Sequence, residues 1–400
     1  DNVVYYRATE KEPFAEYMRT GFKDSWGPLL FTFDNANLIV SHNLNGRDKT
    51  AIVEWDLAGK KETKLIFENA DYDVSNVDYS EKRKVLTMVT WTGEKSERHF
   101  LDDQTKAMYD KLAGKFTGLE YWVYGQNDEE TKFMVWAGSD RDPGTYYFYD
   151  APADKLEKVA TLRPWIDPTQ MAEMKPISYQ SRDGLTIHGY LTLPVGREAK
   201  NLPVVINPHG GPWARDDWGF NPEVQLLANR GYAVLQMNFR GSTGYGRAFW
   251  EKSFKQWGKT MQDDITDGVE WLKKEGIADP ARIAIYGGSY GGYATLAGIT
   301  YTPDLYACAV DYVGVSNMFT FMNTVPPYWE PFKKMMYEMV GDPQKDSLLL
   351  REASPVFFVD RIKCPLFIAQ GAMDPRVNKD ESDQVVAALK ARGVSVQYLV

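Results

Sequence analysis

Two patterns of hydrophobic and polar positions divide the chain. In residues 1–165, short apolar stretches alternate with polar turns, and the segments 33–67, 78–102 and 127–159 repeat one arrangement. Each segment has a polar turn, an apolar stretch and a charged loop, and a second apolar stretch is clearest in the first and third. The repeat length is typical of a four-stranded propeller blade. We predict a partial β-propeller, because three blades cannot close a ring, and an ordinary antiparallel β domain is the alternative.

The pattern changes near Met174, and residues 166–400 are predicted to form a second domain. Residues 177–194 indicate a hairpin that turns at Asp183 and Gly184. Apolar strand-like runs then alternate with helical segments, and a final strand is predicted in residues 394–400. Such alternation is typical of a mostly parallel sheet that is covered by helices on both faces. Ligands of such sheets bind at the carboxyl ends of the strands.

Composition narrows the functional classes. The chain has 400 residues and a formal net charge of −9, and its Lys and Arg residues are dispersed. This distribution argues against a nucleic-acid-binding surface. The sequence contains no apolar run as long as the roughly eighteen residues that a membrane span requires. Cys308 and Cys364 lie in strand-like runs, so we expect buried free thiols and no disulfide framework.

Residues 287–291, Gly-Gly-Ser-Tyr-Gly, match the G-x-S-x-G motif between a predicted strand and a predicted helix. A serine in such a strained turn needs neighbours without side chains, because the strand and the helix are crowded together. Ser289 is therefore our candidate nucleophile. The amide of Tyr290, at the start of the helix, is a candidate donor to an oxyanion. A tight turn with a serine that takes no part in chemistry is the alternative.

A second oxyanion donor is expected in a loop that follows an earlier strand. Residues 206–213 occupy that place, and their glycines allow backbone amides to approach a substrate oxygen. Gly211 is our candidate for this donor. His209 lies in the same loop, and we interpret it as a structural residue that shapes the loop.

A triad acid is expected after a later strand, where Asp374 follows residues 365–370. A turn-capping aspartate is the alternative for this position. The order of serine before aspartate is typical of α/β-hydrolases, in which a histidine comes last. The four histidines, however, all precede Asp374 in the chain: His42, His99, His188 and His209.

Four motifs in this order resemble the prolyl oligopeptidase family of serine peptidases, especially its acylaminoacyl-peptidase-like branch. The motifs are HGGPW at 209–213, NFRGSTGYG at 238–246, GGSYGGY at 287–293 and GAMDPRV at 371–377. Residues 163–194 also resemble that branch's junction between propeller and hydrolase. The resemblance implies a propeller of seven or eight blades that caps an α/β-hydrolase, with the active site between them.

The resemblance also implies roles for individual residues. It makes Ser289 the nucleophile and Asp374 the triad acid, and it places oxyanion donors at Tyr290 and Gly211. Arg240 matches an arginine of the family that we expect to support the site.

Two features of the family have no counterpart in the chain. The early blades are absent, and the family's histidine would follow Val400. We therefore expect a fragment that would be nearly inactive if made as written, and a natural pseudo-hydrolase is the alternative.

The expected reaction is acyl transfer to Ser289 followed by hydrolysis, with short peptides as substrates. Residues 313–343 follow a predicted strand and are rich in aromatic residues and Met, so they are a candidate lining for an apolar pocket. The candidate pocket residues are Phe319, Phe321, Met322, Trp329 and Val377. Packing in the core is the alternative for each of them. The pocket would favour apolar or aromatic residues over strict proline.

Two other classes of function compete with a peptidase. A carboxylesterase could use the same triad, but it would carry a small helical cap instead of β repeats. A non-catalytic binding protein would not need an elbow, an oxyanion loop and an acid together. The sequence has no H-E-x-x-H motif, no Cys/His cluster and no P-loop, so we expect neither a metal nor another cofactor. Oligomeric state and compartment stay open, with a homo-oligomer and a cytoplasmic or periplasmic enzyme as working expectations.

Overall fold

The protein was examined as a computed structural model that describes residues 1–324 and 326–400. The chain forms two compact units. The first contains residues 1–137, 146–160 and 244–248, and the second contains residues 138–145, 161–243 and 249–400. Along the sequence, residues 146–160 belong to the first unit and residues 161–243 to the second. The functional domain boundary at residue 165 stays a prediction.

The first unit consists of short antiparallel strands. Its strands are β1 Asn2–Tyr6, β2 Ala15–Thr20, β3 Trp26–Phe31, β4 Asn37–His42, β5 Ala51–Asp56, β6 Lys61–Phe67, β7 Val74–Ser80, β8 Val85–Thr92, β9 Ser96–Phe100, β10 Glu120–Gln126, β11 Lys132–Gly138, β12 Thr145–Asp150 and β13 Lys155–Thr161. They form a β1–β2 pair, four-stranded sheets from β3–β6 and β10–β13, and a three-stranded sheet from β7–β9. Each of the three larger sheets contains most of one predicted repeat, but its first strand begins before that repeat, at residues 26, 74 and 120.

The first unit has several small apolar clusters instead of one continuous core. Val40 and Val53 belong to one buried cluster, whereas Val135 belongs to another. Because side chains alternate across a strand, Ile39 lies on the opposite face from Val40 and joins a third cluster with Val77 of the next sheet. Neighbouring sheets of the unit thus share apolar clusters.

One helix of the first unit was not predicted. This helix, α1, spans Asp103–Lys115 between β9 and β10. The side chain of Asp102 caps it by accepting a hydrogen bond from the amide of Thr105. Tyr109 and Leu112 are buried along one side. The N-terminal capping signal at Asp102 is present in the sequence, but the β repeats on either side obscured it.

The second unit alternates strands and helices. Its strands are β14 Met174–Gln180, β15 Thr186–Thr192, β16 Leu202–Ile206, β17 Ala233–Asn238, β18 Ala278–Gly288, β19 Cys308–Tyr312, β20 Leu366–Ala369 and β21 Val396–Leu399. The remaining helices of the chain are α2 Pro222–Asn229, α3 Arg247–Glu251, α4 Thr260–Lys274, α5 Tyr290–Tyr301, α6 Met318–Asn323, α7 Lys333–Met339, α8 Ser347–Glu352 and α9 Lys379–Lys390.

One eight-stranded sheet organises the second unit. Its strand order is β14-β15-β17-β16-β18-β19-β20-β21. The hairpin β14–β15 is antiparallel to its neighbours, and the strands from β17 to β21 run parallel to one another. The carboxyl ends of the parallel strands therefore lie along one edge of the sheet, which is where such folds bind ligands.

The second unit has one large continuous apolar core and a smaller cluster that includes Met174 and Val234. The large core includes fully buried residues of several strands and helices, such as Ile206, Leu235, Ile285 and Leu389. Cys364 is buried as expected, but the expectation for Cys308 was wrong: it is exposed at the first position of β19, where the strand begins. Among the described residues, no helix is long and apolar enough to cross a membrane.

Candidate active site

Ser289 lies at a sharp corner between β18 and α5. Its backbone has φ 59° and ψ −118°, which is a strained conformation for a residue with a side chain. A Cβ atom added to Gly287 would lie 2.5 Å from the carbonyl oxygen of Gly291, so only glycine fits there. The amide of Ser289 donates a hydrogen bond of 2.9 Å to the carbonyl of Tyr312. The crowding explains why glycines surround this serine.

The amides of the first helical turn point toward this corner. Tyr290 is the first residue of α5, and the first amides of a helix have no acceptor within the helix itself. The ring of Tyr290 is buried and packs against Trp257, with centroids 4.6 Å apart. The ring therefore anchors the residue in the core, which leaves its amide as the group that can serve the site.

The loop after β16 packs directly against the serine corner. A Cβ atom added to Gly210 would lie 3.2 Å from the carbonyl oxygen of Gly288. A Cβ atom added to Gly291 would overlap the carbonyl oxygen of Pro208. Gly211 has φ 126°, in the region that favours glycine. The fold thus brings the predicted oxyanion loop and the predicted nucleophile together.

His209 is held by contacts within its own loop and with the segment that follows β17. Its Nδ1 lies 2.7 Å from the carbonyl oxygen of Gly210, and its Nε2 lies 2.9 Å from Oγ of Ser242. The imidazole stacks on Phe239 at 4.3 Å between centroids. Burial lowers the pKa of His209 to about 4, so the ring is neutral at ordinary pH. These contacts are compatible with the structural role that we predicted for it.

Asp374 lies in the turn after β20, at the same edge of the sheet as Ser289. Its Oδ1 accepts hydrogen bonds from the amides of Arg376 and Val377, at 2.8 and 3.0 Å. β20 is separated from β18 by one strand, β19. The carboxylate is therefore oriented by its own turn on the edge where the predicted triad would assemble.

Arg240, just after β17, belongs to a buried ion network. Its guanidinium donates to both carboxylate oxygens of Asp264, at 2.7 and 2.8 Å, and to Asp183 at 2.8 Å. Burial opposes its charge, but the hydrogen bonds to Asp264 and Asp183 raise the pKa of Arg240 above its ordinary value. The network ties the end of β17 to α4 and to the β14–β15 turn, so it supports a strand end at the edge of the site.

The predicted pocket residues differ in exposure. Phe319 and Trp329 are partly exposed, whereas Phe321 and Met322 are buried in the continuous core, at 6% and 1% exposure. Val377 is also buried. Among these residues, Phe319 and Trp329 have the accessible surface that a pocket lining needs, and their role stays a prediction.

Sequence reasoning missed a buried acid that organises this region. Glu381 of α9 accepts hydrogen bonds from the amides of Ser316 and Asn317, at 2.9 and 2.8 Å. Burial raises its pKa, which these bonds oppose. Glu381 thereby joins the start of α6 to the helix that follows the Asp374 turn. No motif marks it, because the partner amides are about sixty residues away in the chain.

Solved structures of known proteins share the fold of this chain. A mycobacterial puromycin-hydrolyzing peptidase has TM-score 0.78 at 24% identity, over 97% of this chain and 60% of that one. A prolyl endopeptidase structure has TM-score 0.80 at 19% identity, over 100% of this chain and 58% of that one. These likenesses confirm the predicted fold class, an α/β-hydrolase preceded by propeller-type β-sheets.

The sequence comparisons match the C-terminal part of the chain to a family. Residues 218–400 match the model of the Prolyl oligopeptidase family. Dipeptidyl aminopeptidase BIII of Pseudoxanthomonas mexicana is 37% identical over 99% of this chain and 60% of its own length. Dipeptidyl peptidase family member 6 of Caenorhabditis elegans is 34% identical over 100% of this chain and 58% of its own length. The chain thus spans about 60% of the length of these curated relatives.

Proposed function

We propose that the protein is a serine peptidase that cleaves short peptides through an acyl-enzyme on Ser289. One observation carries the proposal: a serine with φ 59° sits between the end of a parallel strand and the start of a helix. The strained turn presents the hydroxyl at the sheet edge where ligands bind. The family of residues 218–400 supports the same chemistry.

The proposed mechanism assigns a role to each group. Ser289 attacks the substrate carbonyl, and the amides of Tyr290 and Gly211 stabilise the negative charge that develops on its oxygen. A histidine base takes the proton from the serine and passes it to the leaving amine. Asp374 orients the histidine and stabilises its charged form. By resemblance to the family, this histidine follows the last strand of the sheet, and water then hydrolyses the acyl-enzyme.

We propose release of dipeptides as the mode of cleavage. Two relatives that align over essentially the whole chain are named dipeptidyl aminopeptidase and dipeptidyl peptidase. Relatives named acylamino-acid-releasing enzyme align over smaller shares of the chain, from 50% for the Arabidopsis thaliana protein to 79% for the Sus scrofa protein. Phe319 and Trp329, which are partly exposed, would give the pocket a preference for apolar side chains before the cleaved bond.

A fluorophosphonate probe tests the nucleophile first. The protein from the whole gene, its Ser289→Ala variant and the 400-residue chain would be compared. We expect labelling of the whole protein alone, because the proposed base is needed to activate the serine. A folded whole protein that stays unlabelled would contradict the proposal.

Substrate panels then separate the finer alternatives. Dipeptide amides with a free amino end would be compared with acetylated amino acid amides and with short-chain esters. Preferential cleavage of the dipeptide amides supports dipeptide release. Preferential cleavage of acetylated substrates supports the acylaminoacyl alternative, and activity on esters alone supports a carboxylesterase.

A further inference from the structure

A second strained residue lies beside the serine corner. Val313, just after β19, has φ 47°, which is rare for a β-branched residue. The hydrogen bond from Ser289 to Tyr312 joins the two strained turns, and the amide of Val313 donates 2.9 Å to the carbonyl of Ala369. Strained residues persist only where surrounding contacts determine their conformation, and they concentrate at functional sites. The contacts that hold this pair therefore matter for the nucleophile.

Asp311 lies at the centre of these contacts. It pairs in register with Gly287 of the serine corner, and it is 0% exposed. Neither carboxylate oxygen makes a hydrogen bond of normal geometry to any described residue. Buried polar groups in proteins are nearly always hydrogen-bonded, so such an acid calls for an explanation. The proposed mechanism makes no use of it.

The carboxyl of Asp311 fills the space between two backbone segments. A Cβ atom added to Gly292, in the first turn of α5, would lie 2.5 Å from Oδ1 of Asp311 and 2.7 Å from Cα of Gly314. A Cβ atom added to Gly314 would overlap the same oxygen. The acid and the close approach of the two backbones together explain why both positions are glycine. It locks the turn that follows Ser289 against the turn that follows Val313.

The surroundings of this carboxyl suit its neutral form. Its register neighbours Gly287 and Ile368 carry no charge, and Tyr293 of α5 directs its hydroxyl to the carbonyl of Ala353. Burial raises the pKa of Asp311 to about 7, which the amide of Gly314 partly offsets, with no charged group of the described chain contributing. Apart from the amide of Gly314, a carboxylate here would lack the donors that a buried charge needs.

We infer that Asp311 is a positioning residue, whose buried carboxyl locks the strained Ser289 and Val313 turns together and whose ionisation loosens that lock. Ser289 would then lose its attacking geometry as the pH rises, through a group that contacts neither substrate nor base. The predicted effect of Asp311 on the reactivity of Ser289 rests on the proposed function. The contacts through which Asp311 locks the two turns do not rest on that function.

The first test is the pH profile of fluorophosphonate labelling in the whole protein. Asp311→Asn keeps the shape of the side chain but cannot ionise. We expect the wild-type labelling rate to fall above neutral pH and the variant rate to hold. At pH 8 the variant should react about tenfold faster, because one unit above the pKa about a tenth of the groups stay neutral. The same change in labelling rate above pH 7 in the wild type and in Asp311→Asn would overturn the inference.

Asp216→Asn is the matched control for the labelling experiment. Burial also raises the pKa of Asp216 to about 7, but no contact links its carboxylate to Gly292 or Gly314. We expect this variant to keep the alkaline fall in labelling rate. Loss of the fall in Asp216→Asn as well would overturn the assignment to Asp311.

Hydrogen exchange tests the lock without requiring hydrolysis. Protection factors of the amides in residues 287–293 would be followed from pH 6 to pH 8.5. We expect protection to decline in the wild type and in Asp216→Asn, but not in Asp311→Asn. A flat wild-type profile would overturn the inference, even if Asp311→Asn failed to fold. Unlabelled protein with the expected exchange would reject the peptidase proposal while supporting the lock.

Discussion

The two units place their strained residues in different settings. In the first unit, residues with positive φ such as Asn35, Lys60, Lys84 and Asp154 lie in turns between paired antiparallel strands. In the second unit, Ser289 and Val313 lie at the carboxyl ends of parallel strands, where no hairpin requires such a conformation. In the first unit these positive φ values belong to turns that reverse the chain direction. At Ser289 and Val313 of the second unit, they place the residue at the edge where such a sheet binds ligands.

The apolar cores of the two units also differ. Separate small clusters stabilise the sheets of the first unit, whereas one continuous core extends beneath the large sheet of the second. The second unit also contains acidic side chains, including those of Asp264 and Asp311, that are fully buried. The second unit is therefore the one in which single polar substitutions should have the largest effects.

The largest effect is expected from Arg240→Met. The change leaves Asp264 buried without its partner, and such losses cost about 3–5 kcal/mol of stability. Urea unfolding of the whole protein would measure it. Arg282→Met is the matched control, because that side chain is 54% exposed, and its pair with Asp279 should contribute only about 0–1 kcal/mol. Equal losses of stability in both variants would contradict the distinction between the buried and the exposed ion pair.

The second prediction concerns the pH dependence of the second unit. Burial raises the pKa of Asp311 and Asp216 to about 7, so the folded protein binds more protons than the unfolded chain between about pH 4 and pH 7. The free energy of unfolding should therefore fall as the pH rises through that window and then level off. The upper bound is about 4 kcal/mol per group.

Unfolding by urea at pH 4.5 and pH 7.5 measures this slope. The double variant Asp311→Asn, Asp216→Asn should flatten it. A slope that is unchanged in the double variant would show that other groups carry the dependence.

A smaller effect separates the two kinds of core. Ile206 and Ile52 are both fully buried, one in the continuous core and one in a sheet cluster of the first unit. Ile→Val at either site should cost about 1 kcal/mol. Hydrogen exchange should show the loss across the whole second unit for Ile206→Val, but only near β3–β9 for Ile52→Val. A loss of protection across the whole chain in Ile52→Val would contradict the separation of the apolar clusters of the two units.

The smallest effect is expected on the exposed surface of α1. Lys106 and Asp110 form an ion pair at 2.7 Å, with side chains 53% and 61% exposed. Lys106→Ala should cost no more than about 0.5 kcal/mol, because solvent screens such pairs. Thermal unfolding at low and high salt would check this, since the difference from wild type should vanish at high salt. A loss that persists at high salt would indicate packing by the lysine stem.

Local patterns predicted most of the second unit. The predicted hairpin, the alternation of strands and helices after it and the final strand are present, and α5 begins directly after Ser289 as predicted. Local patterning works there because each strand is a short apolar run bounded by turn residues. In the first unit the same reasoning found the sheets but missed α1, whose short amphipathic face lies between two strand repeats.

For the site, the sequence alone determined which residue types stand at the strand ends. The glycines around Ser289, the loop of Gly211 and the turn of Asp374 carry local signals, because a strained turn needs them in consecutive positions. Only the tertiary structure decided what holds those turns. Asp311 meets Gly292 and Gly314, and Glu381 meets Ser316, through contacts between segments that are distant or differently folded. Such contacts have no sequence period, because they depend on how strands and helices pack rather than on how the chain repeats.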